Sequence, residues 1–417
     1  MAHYLNLPVQ SGDNKILKAM NRPYTAGKYK NLVKKIRENI PDINLSTDVI
    51  VGFPGETKTQ FENTVKLFKE MDFDMAYISK FSSRPGTAAA KMEDNVPRQE
   101  KERRWKILNK FILKKLKEKK EIKNRKLIVV LGPTASGKSD LAVQLAKKVA
   151  GEVISADSRQ VYKGMDIGTG KITKKEMKDV PHYLLDVVSP KKRFDVVRYR
   201  NLALKAMNKI FKKNKVPIIC GGTGFYIQAL IDGIIIPEVK PDWKLREKLE
   251  KKSIKQLFKM LKKLDPQRAK NIDRYNPRRL IRAIEIVLKS KKPIPAFKKI
   301  PLPYPVLIIG IKKRKEELKK LIEKRLLKRL KQGMIDEIKK LHKSGVSWKR
   351  LEEFGLEYRY IALYCQKKLT YPEMIEKLQK EVEHFAKRQM NWFKKDRRIH
   401  WIKNYKEAEE LIRSFLK

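Results

Sequence analysis

The segment with the clearest chemical meaning is a glycine-rich turn between an apolar run and a helix-like pattern. Its eight residues match the pattern G-x-x-x-x-G-K-[ST] and read Gly132-Pro-Thr-Ala-Ser-Gly-Lys138-Ser139. The run 126–131 predicts a buried strand, and apolar residues at helical spacing over 141–149 predict the helix. In that setting backbone N–H groups and the positive end of the helix cradle a phosphate or diphosphate. Lys138 would add a point charge, and the hydroxyl of Ser139 is a ligand for Mg²⁺.

Two more segments place polar side chains just beyond predicted strands, where open α/β sheets bind their ligands. The strand-like run Glu152–Ser155 leads to Asp157, whose carboxylate could hold Mg²⁺ through water, act as a general base, or simply cap a helix. The apolar run 216–220 leads to Gly221-Gly-Thr223-Gly, whose glycines allow a close backbone approach. Thr223 therefore offers a hydroxyl at the same edge of the sheet, unless the segment is a plain turn at a helix start.

The strong positive charge points to an acidic polymer as the partner. The chain of 417 residues carries 99 Lys and Arg against 47 Asp and Glu, a formal net charge of +52. Nucleic acid is the usual partner of such a protein, with a general lysine bias or an enzyme on a membrane surface as the alternatives. The sequence has no secretory pattern, no long apolar run, and two cysteines, Cys220 and Cys365. We therefore expect a cytoplasmic monomer without disulfides or membrane association.

The first part of the chain, residues 1–110, alternates strand-like and helix-like patterns that predict βα repeats. The predicted strands and helices there are Asn44–Val51, Phe73–Ser79, Ala26–Asn39 and Lys58–Glu70. Residues 111–125 form a basic helix or linker, the end of an amphipathic stretch whose apolar face begins at Trp105. We expect this run of charge to be a solvated face, with a grip on RNA phosphates as the alternative.

From residue 126 onwards the pattern is again α/β, in three consecutive stretches. Residues 126–236 carry the glycine-rich turn, and residues 237–300 are basic and mainly helical, with Pro237 the first of several prolines. Residues 301–417 contain one further strand, Val306–Ile311, followed by helices only. The sequence therefore predicts an α/β fold with a parallel sheet like that of P-loop NTPases, a helical insertion domain that serves the substrate, and a partial (β/α) barrel fragment in front.

Four motifs in this region, in this order and at these spacings, resemble the tRNA dimethylallyltransferases. They are GPTASGKS, SADSRQVYKGMDIGTGK, PHYLLDV and GGTGFY, and the C-terminal AKRQMNWF supports the same family. The resemblance covers about residues 126–403. It implies a prenyltransferase that moves the dimethylallyl group of dimethylallyl diphosphate to N6 of the adenine next to the anticodon on its 3′ side. It also implies Mg²⁺ as the cofactor and the tRNA anticodon stem-loop as the partner.

The resemblance further assigns roles to residues, because the exocyclic amine of adenine is a poor nucleophile that needs a base and an activated leaving group. Asp157 would be the base, and Thr223 would orient the substrate. The diphosphate would be bound by the loop residues Gly132, Pro133, Thr134, Ala135, Ser136, Gly137, Lys138 and Ser139, with Thr134 also catalytic and Ser139 also on the metal. The extruded adenine and the surrounding RNA would contact Asp157, Ser158, Arg159, Gln160, Arg278, Arg279 and Arg282.

One helix departs from the family pattern Arg-Ile-x-x-Arg, in which an arginine acts on the diphosphate. Here the stretch is Leu321-Ile-Glu-Lys-Arg325, so leucine replaces the first arginine. We expect Arg325 to be the catalytic contact to phosphate; the alternatives are Arg329, one helical turn further on, or neither arginine. In addition, Phe354-Gly-Leu-Glu-Tyr-Arg359 stands where other members have a shorter Gly-Tyr motif.

The first hundred residues resemble a different family, the radical-SAM tRNA methylthiotransferases. The motifs HYLNLPVQSG, MNRPY, STDVIVGFPGE and SRPGT match the second half of that barrel. That family binds a [4Fe–4S] cluster through C-x-x-x-C-x-x-C, whereas residues 1–125 contain no cysteine. We therefore expect the partial radical-SAM barrel, residues 1–110, to be inactive by itself. It would be the remnant of a gene fusion or the product of a misassigned start, and, as the last alternative, the complement of a separate fragment that carries the cluster.

Two other functions fit part of the pattern. A small-molecule or nucleoside kinase would use the same glycine-rich loop to bind ATP, but the DSRQ and GGTGFY segments and the charge of +52 argue against a small substrate. A tRNA-binding protein that has lost turnover is the second alternative, and the leucine at position 321 is the feature in its favour.

Overall fold

The computed structural model describes residues 4–40, 43–234, 239, 241–294 and 299–417. The chain forms two compact units, Met1–Asn124 and Arg125–Lys417. Three features of the sequence interpretation lie outside the described residues: His3, Pro237, and the division between residues 236 and 237.

The first unit is built on a three-stranded parallel sheet with the strand order β1-β2-β3. In chain order its elements are β1 (Tyr4–Asn6), α1 (Asn14–Ala19), α2 (Ala26–Asn39), β2 (Asn44–Val51), α3 (Lys58–Met71), β3 (Met75–Lys80) and α4 (Arg98–Asn124). The predicted βα pattern is therefore confirmed, and α2 and β2 have the predicted bounds. Strand β1 was not predicted, because three residues are too short for an alternation of apolar and polar side chains to show.

Helix α4 completes the first unit. Leu108 and Ile112 are buried in the core of that unit, and the indole of Trp105 donates a hydrogen bond of 2.9 Å to the carbonyl of Ile78. The helix runs unbroken to Asn124, because no glycine or proline interrupts it. Residues 111–125 thus include the second half of a helix rather than a linker, and the first unit ends at residue 124, not at 110.

The second unit is built on a six-stranded sheet in which all neighbouring strands are parallel, in the order β6-β5-β7-β4-β8-β9. Its strands are β4 (Leu127–Leu131), β5 (Glu152–Ser155), β6 (His182–Tyr183), β7 (Pro217–Gly221), β8 (Val306–Ile311) and β9 (Ile399–Ile402). Its helices are α5 (Lys138–Lys148), α6 (Lys174–Met177), α7 (Val196–Lys212), α8 (Gly224–Ile231), α9 (Trp243–Glu250), α10 (Ile254–Leu264), α11 (Pro266–Asn271), α12 (Pro277–Ser290), α13 (Lys315–Lys331), α14 (Met334–Lys343), α15 (Trp348–Phe354), α16 (Leu356–Cys365), α17 (Tyr371–Phe393) and α18 (Tyr405–Leu416).

The centre of this sheet is buried on both faces. Successive residues of β4 alternate between two apolar clusters, with Leu127 and Val129 in one and Ile128 and Val130 in the other. This burial explains why the strand is a continuous apolar run in the sequence. Because β5, β7 and β4 are parallel neighbours, the three polar segments that follow them meet at one edge of the sheet.

The prediction of helices only after Ile311 is wrong. Ile399–Ile402 forms the edge strand β9, which pairs in parallel with β8. Ile399 and Ile402 are buried, whereas His400 is exposed and Trp401 is partly buried. Four residues at the edge of a sheet give no pattern that distinguishes a strand from a turn, so only the pairing with β8 identifies it. Strand β6, with two residues, escaped prediction for the same reason.

Helices α9 to α12 form a small lobe between α8 and β8, where the sequence predicted the helical insertion. Its core is apolar and includes Leu249, Leu257, Leu280 and Ile284. A buried carboxylate, Glu285, lies beside that core and is bound by arginines of the lobe. Among the described helices of the whole chain, none has both the length and the apolar composition that a membrane span requires.

Candidate active site

The glycine-rich loop joins β4 directly to α5, as the sequence predicted. Helix α5 begins at Lys138, and Gly137 caps it with a φ of 85°, a backbone conformation that favours glycine. Gly132 is required by close packing, since a Cβ atom there would lie 2.8 Å from the Oγ of Ser136. The loop therefore leads directly into a helix N-terminus, the kind of position where proteins bind anions.

Among the described residues, Lys138 of this loop forms no ion pair with a carboxylate. Lys138 is partly buried, and its Nζ donates 3.2 Å to the carbonyl of Pro133. Loss of solvation lowers the pKa of Lys138, and the positive charge of Arg325 lowers it further. The Oγ of Ser136 is buried and has no hydrogen-bond partner among the described residues. Both features fit a loop that is completed by an anionic ligand.

Arg325 reaches the loop from helix α13. Its Nη2 donates a hydrogen bond to the Oγ1 of Thr134. Its pKa is lowered to about 9, first by loss of solvation and then by the neighbouring charge of Arg329. Two cations, Lys138 and Arg325, thus lie at one loop under electrostatic strain that a diphosphate would relieve.

Arg329 lies one turn further along α13 and has a different set of partners. Its Nη1 contacts the Oε1 of Glu357 at 3.2 Å and the carbonyl of Gly168 at 3.4 Å. It approaches the backbone so closely that a Cβ on Gly170 would overlap its guanidinium. The structure therefore separates the two arginines that the sequence left as alternatives, with Arg325 on the glycine-rich loop and Arg329 in a buried ion pair.

Of the three roles that the sequence left open for Asp157, the structure shows the capping role. Its Oδ1 accepts hydrogen bonds from the backbone N–H groups of Arg159 at 2.8 Å and Gln160 at 3.3 Å, so this oxygen caps a turn. Its Oδ2 has no hydrogen-bond partner within the described part of the chain. One oxygen therefore fixes the carboxylate while the other remains available to a ligand.

Thr223 ties the turn after β7 to the segment that carries Asp157. Its Oγ1 accepts a hydrogen bond of 3.0 Å from the N–H of Ser158, and its own N–H donates to the carbonyl of Ala156 at 3.2 Å. Gln160 is also bound at both ends, since its Nε2 donates to Gly170 at 3.1 Å and its Oε1 accepts from the hydroxyl of Ser155 at 3.2 Å. The segment 155–160 is thus held rigidly at the sheet edge.

The three segments line one cavity. Lys138 and Ser139 come from the glycine-rich loop and α5, Asp157 follows β5, and Cys220 and Gly221 end β7. Burial raises the pKa of the Cys220 thiol to about 11, so this cysteine is a neutral packing group and not a nucleophile. The geometry assembles a cationic loop and a carboxylate on the walls of the same cavity.

Comparison with known proteins shows the family to which this chain is related. The family model described as IPP transferase matches residues 160–396, and the model described as Radical SAM superfamily matches residues 2–68. A relative from Geotalea uraniireducens, tRNA dimethylallyltransferase 1, is 41% identical over 297 residues, which are 69% of this chain and 97% of the relative. A tRNA dimethylallyltransferase from Halothermothrix orenii is 40% identical over 70% of this chain and 94% of its own length. The chain belongs to the tRNA dimethylallyltransferase family.

Solved structures of this family have the same fold. The tRNA isopentenylpyrophosphate transferase from Bacillus halodurans superposes with a TM-score of 0.54 at 33% identity, covering 70% of this chain and 97% of the other. A eukaryotic dimethylallyltransferase acting on tRNA gives a TM-score of 0.55 at 28% identity, covering 64% of this chain and 69% of that one. The segment matched by the radical-SAM model precedes the region that these structures cover.

Sequence reasoning missed the role of Gln389 in this dimethylallyltransferase. Gln389 is buried in α17, and its Oε1 accepts a hydrogen bond of 2.8 Å from the N–H of Thr134. Its Nε2 donates 2.9 Å to the carbonyl of Gly222. The motif AKRQMNWF contained the signal, since a glutamine between the buried Ala386 and Phe393 lies on the apolar side of its helix.

The variant segment Phe354–Arg359 also has a structural role that the sequence did not explain. The carbonyl of Phe354 accepts a hydrogen bond of 2.8 Å from the Nε of Arg159, which fixes that side chain. Glu357 is the partner of Arg329, and Tyr358 donates 2.7 Å to Glu337. The Nε of Arg159 is therefore already hydrogen-bonded within the protein.

The three arginines predicted to bind tRNA do not behave alike. Arg278 and Arg279 lie in the first turn of α12 and are exposed. Arg282 instead donates to Glu285 and, at 2.9 Å, to the carbonyl of Val239. Arg282 thus belongs to the internal ion-pair network of the lobe, whereas the other two side chains are exposed to solvent.

Proposed function

We propose that this enzyme transfers the dimethylallyl group of dimethylallyl diphosphate to N6 of the adenine on the 3′ side of the tRNA anticodon. The observation that carries the proposal is the pair of cations, Lys138 and Arg325, on a glycine-rich loop that shares its cavity with Asp157. This arrangement suits a reaction in which an anionic leaving group departs while a nucleophile loses a proton.

The leaving group is bound by residues 132–139. Backbone N–H groups at the start of α5, the Nζ of Lys138 and the guanidinium of Arg325 take up the negative charge that grows on the diphosphate as the C1–O bond breaks. Their lowered pKa values support this role, since an anion lowers the free energy of both cations in a site that solvates them poorly.

The nucleophile is held on the other side of the cavity. The amine of the adenine donates to the free Oδ2 of Asp157, which accepts the proton as the new C–N bond forms. Thr223 keeps this segment in place through Ser158. Reaching the cavity requires the adenine to leave the stack of the anticodon loop, which is less costly in a single strand than in a duplex.

The residues present fit Mg²⁺ as the cofactor. Ser139 and Asp157 line the same cavity, whereas the described residues contain no group of three or more His, Cys, Asp or Glu side chains placed to hold a metal. Such a sparse set of protein ligands suits a metal that keeps its water and binds phosphate oxygens. When bound, Mg²⁺ would neutralise charge on the diphosphate; Ser139 would be its ligand.

The exposed arginines of α12, Arg278 and Arg279, are proposed to contact the phosphates of the anticodon stem. We further propose that the enzyme acts in the cytoplasm, where such a tRNA is available. A nucleoside kinase would use the same loop for ATP, and the high positive charge and the helical lobe give no advantage to an enzyme with so small a substrate.

The test is an incubation of the full-length protein with tRNA, Mg²⁺ and dimethylallyl diphosphate labelled in the allyl group. We expect the label in tRNA, and isopentenyladenosine after digestion to nucleosides. A tRNA with guanine in place of the target adenine is the matched control. Transfer of label from the γ-phosphate of ATP, with none from the allylic donor, would instead establish the kinase.

A further inference from the structure

Gln389 connects the glycine-rich loop to the turn after β7 through one side chain. It accepts from Thr134 of the glycine-rich loop and donates to Gly222 of the turn that contains Thr223. The orientation of its amide is fixed by these partners, because a backbone N–H can only donate and a carbonyl oxygen can only accept. The position therefore requires a side chain of this length that carries both a donor and an acceptor.

The neighbouring turn is shaped to receive this amide. A Cβ on Gly222 would lie 2.3 Å from the Nε2 of Gln389, so an alanine there would force the amide away. One helical turn further on, Trp392 packs against the same turn, 2.4 Å from where a Cβ on Gly224 would lie. Helix α17 therefore contacts the residues on both sides of Thr223.

Gln389 does not compete with the ligand for the loop. It occupies the N–H of Thr134, while the Oγ1 of the same threonine is bound by Arg325. Thr134 is thus fixed through both its backbone and its side chain. Further along the loop, the N–H of Ser136 donates to the carbonyl of Pro133 at 3.3 Å, and α5 begins at Lys138.

We propose that Gln389 is a positioning residue that sets the spacing between the diphosphate-binding loop and the turn of Thr223. The inference rests on the proposed function, since it concerns the alignment of the leaving group with the attacking amine. In a displacement at carbon, the nucleophile and the leaving group must lie on opposite sides of that carbon. A small change in the distance between the two loops therefore lowers the rate of transfer more than it lowers binding of either substrate.

The test compares single-turnover transfer by the wild type with that of Gln389→Met, which has nearly the same shape and neither hydrogen bond. We expect the rate constant to fall about 10- to 100-fold, as for other residues that orient a site from behind. The Kd for tRNA should stay within about twofold, because Gln389 is buried and both ends of its amide are bonded within the protein. Gln366→Met is the matched control: this glutamine bonds to Glu352 in the α15–α16 region, and its loss should leave transfer unchanged.

A double-mutant cycle separates positioning from a loss of folding. Gly222→Ala should slow transfer in the wild type, because its Cβ displaces the amide of Gln389. In a Gln389→Ala background the nearest remaining neighbour of that Cβ, outside the side chain of Gln389, is the carbonyl oxygen of Gly132 at 3.6 Å, an ordinary contact. The second substitution should therefore add little to the effect of the first.

Each outcome has a definite meaning. Slower transfer by Gln389→Met and non-additive effects in the cycle support the proposal. Wild-type rates in Gln389→Met, or fully additive effects of Gly222→Ala and Gln389→Ala, would overturn it. Absence of isopentenyladenosine with the wild-type protein would refute the proposed function instead, so the two failures are distinguishable.

Discussion

Arg325 and Thr134 are 191 residues apart in the chain, yet the guanidinium of the first donates a hydrogen bond to the hydroxyl of the second. This contact places a cation of α13 directly on the glycine-rich loop that follows β4. The family pattern has an arginine one turn earlier in the helix, where this chain has the partly buried Leu321. We therefore expect Arg325 to be the arginine that contacts the diphosphate.

Replacement of Arg325 should impair the enzyme at the donor site. We expect Arg325→Gln to lower kcat/KM for dimethylallyl diphosphate about 100- to 1,000-fold, the usual effect of removing a group that stabilises developing negative charge. The KM for tRNA should change little. Steady-state kinetics with each substrate varied in turn checks this, and Lys324→Gln, an exposed position on the same helix, is the control. An unchanged kcat/KM for dimethylallyl diphosphate in Arg325→Gln would contradict the assignment of Arg325 to the donor site.

Binding of the donor should weaken at high pH. The pKa of Arg325 is lowered to about 9 and that of Lys138 is also lowered, in both cases chiefly by loss of solvation. Arg325 is charged below its pKa, so its positive charge is present at neutral pH and is lost as the pH rises through about 9. Calorimetric titration with inorganic pyrophosphate between pH 7 and 10 measures this. In Arg325→Gln the affinity for pyrophosphate should fall less over this pH range. A wild-type affinity that does not change with pH would contradict the expectation.

Asp157→Asn should stop transfer while preserving the fold. The amide oxygen of asparagine can still accept from Arg159 and Gln160, so the turn stays capped, but the side chain cannot take a proton. We expect the single-turnover rate to fall about 100- to 10,000-fold, the range for loss of a general base. Binding of tRNA, measured by filter binding, should be retained. Asp179→Asn, the same change at an exposed position, serves as the control.

The arginines of the lobe should separate into two groups. Arg278→Gln and Arg279→Gln should each weaken tRNA binding and lower the slope of log Kd against log salt concentration by about one phosphate contact. Arg282→Gln should instead loosen the lobe, because its side chain is bound to Glu285 and Val239. Salt titrations of tRNA binding distinguish these effects. Equal salt slopes for all three variants and the wild type would show that α12 does not contact the RNA backbone.

Glu285 should be essential for the stability of the lobe. It is fully buried and accepts hydrogen bonds from Arg246, Arg282 and the N–H of Asp242. Burial alone would raise its pKa, but Arg246 and the other donors outweigh that effect and lower it below 4.5. Its stabilising effect is therefore complete above pH 4.5 and is lost as the pH falls through the lower, folded-state value. We expect Glu285→Ala to destabilise the lobe by about 3–5 kcal/mol, the typical cost of leaving buried charges unpaired.

Hydrogen exchange on the intact protein measures this effect within α9 to α12. The amides of the lobe should exchange much faster in Glu285→Ala, while those of β4 and β7 should be unaffected. Glu247→Ala, in the same lobe, is the control, since Glu247 forms no ion pair with the described residues. Unchanged exchange in the lobe would show that the network contributes little to its stability.

The sequence by itself determined the parts of the site that are local. Residues 127–148 form a strand, a glycine-rich turn and a helix in direct succession. Each of these elements is specified by its own residues and by those next to it in the chain. The same holds for Asp157 and Thr223, each placed by the end of an apolar strand. Parallel pairing of those strands was enough to predict that the three segments meet at one sheet edge.

The tertiary structure alone decided which side chains meet across that edge. The hydrogen bond from Thr134 to Gln389 joins residues 255 apart in the chain. Arg325 and Arg329 lie one turn apart on the same helix, and only the packing of that helix decides which of them contacts the glycine-rich loop. Likewise, Arg282 differs from its exposed neighbours only because Glu285 lies buried beside it. The spacing of residues in the sequence shows which polar groups are available. Their partners depend on how distant elements pack, and the local sequence carries no signal of that packing.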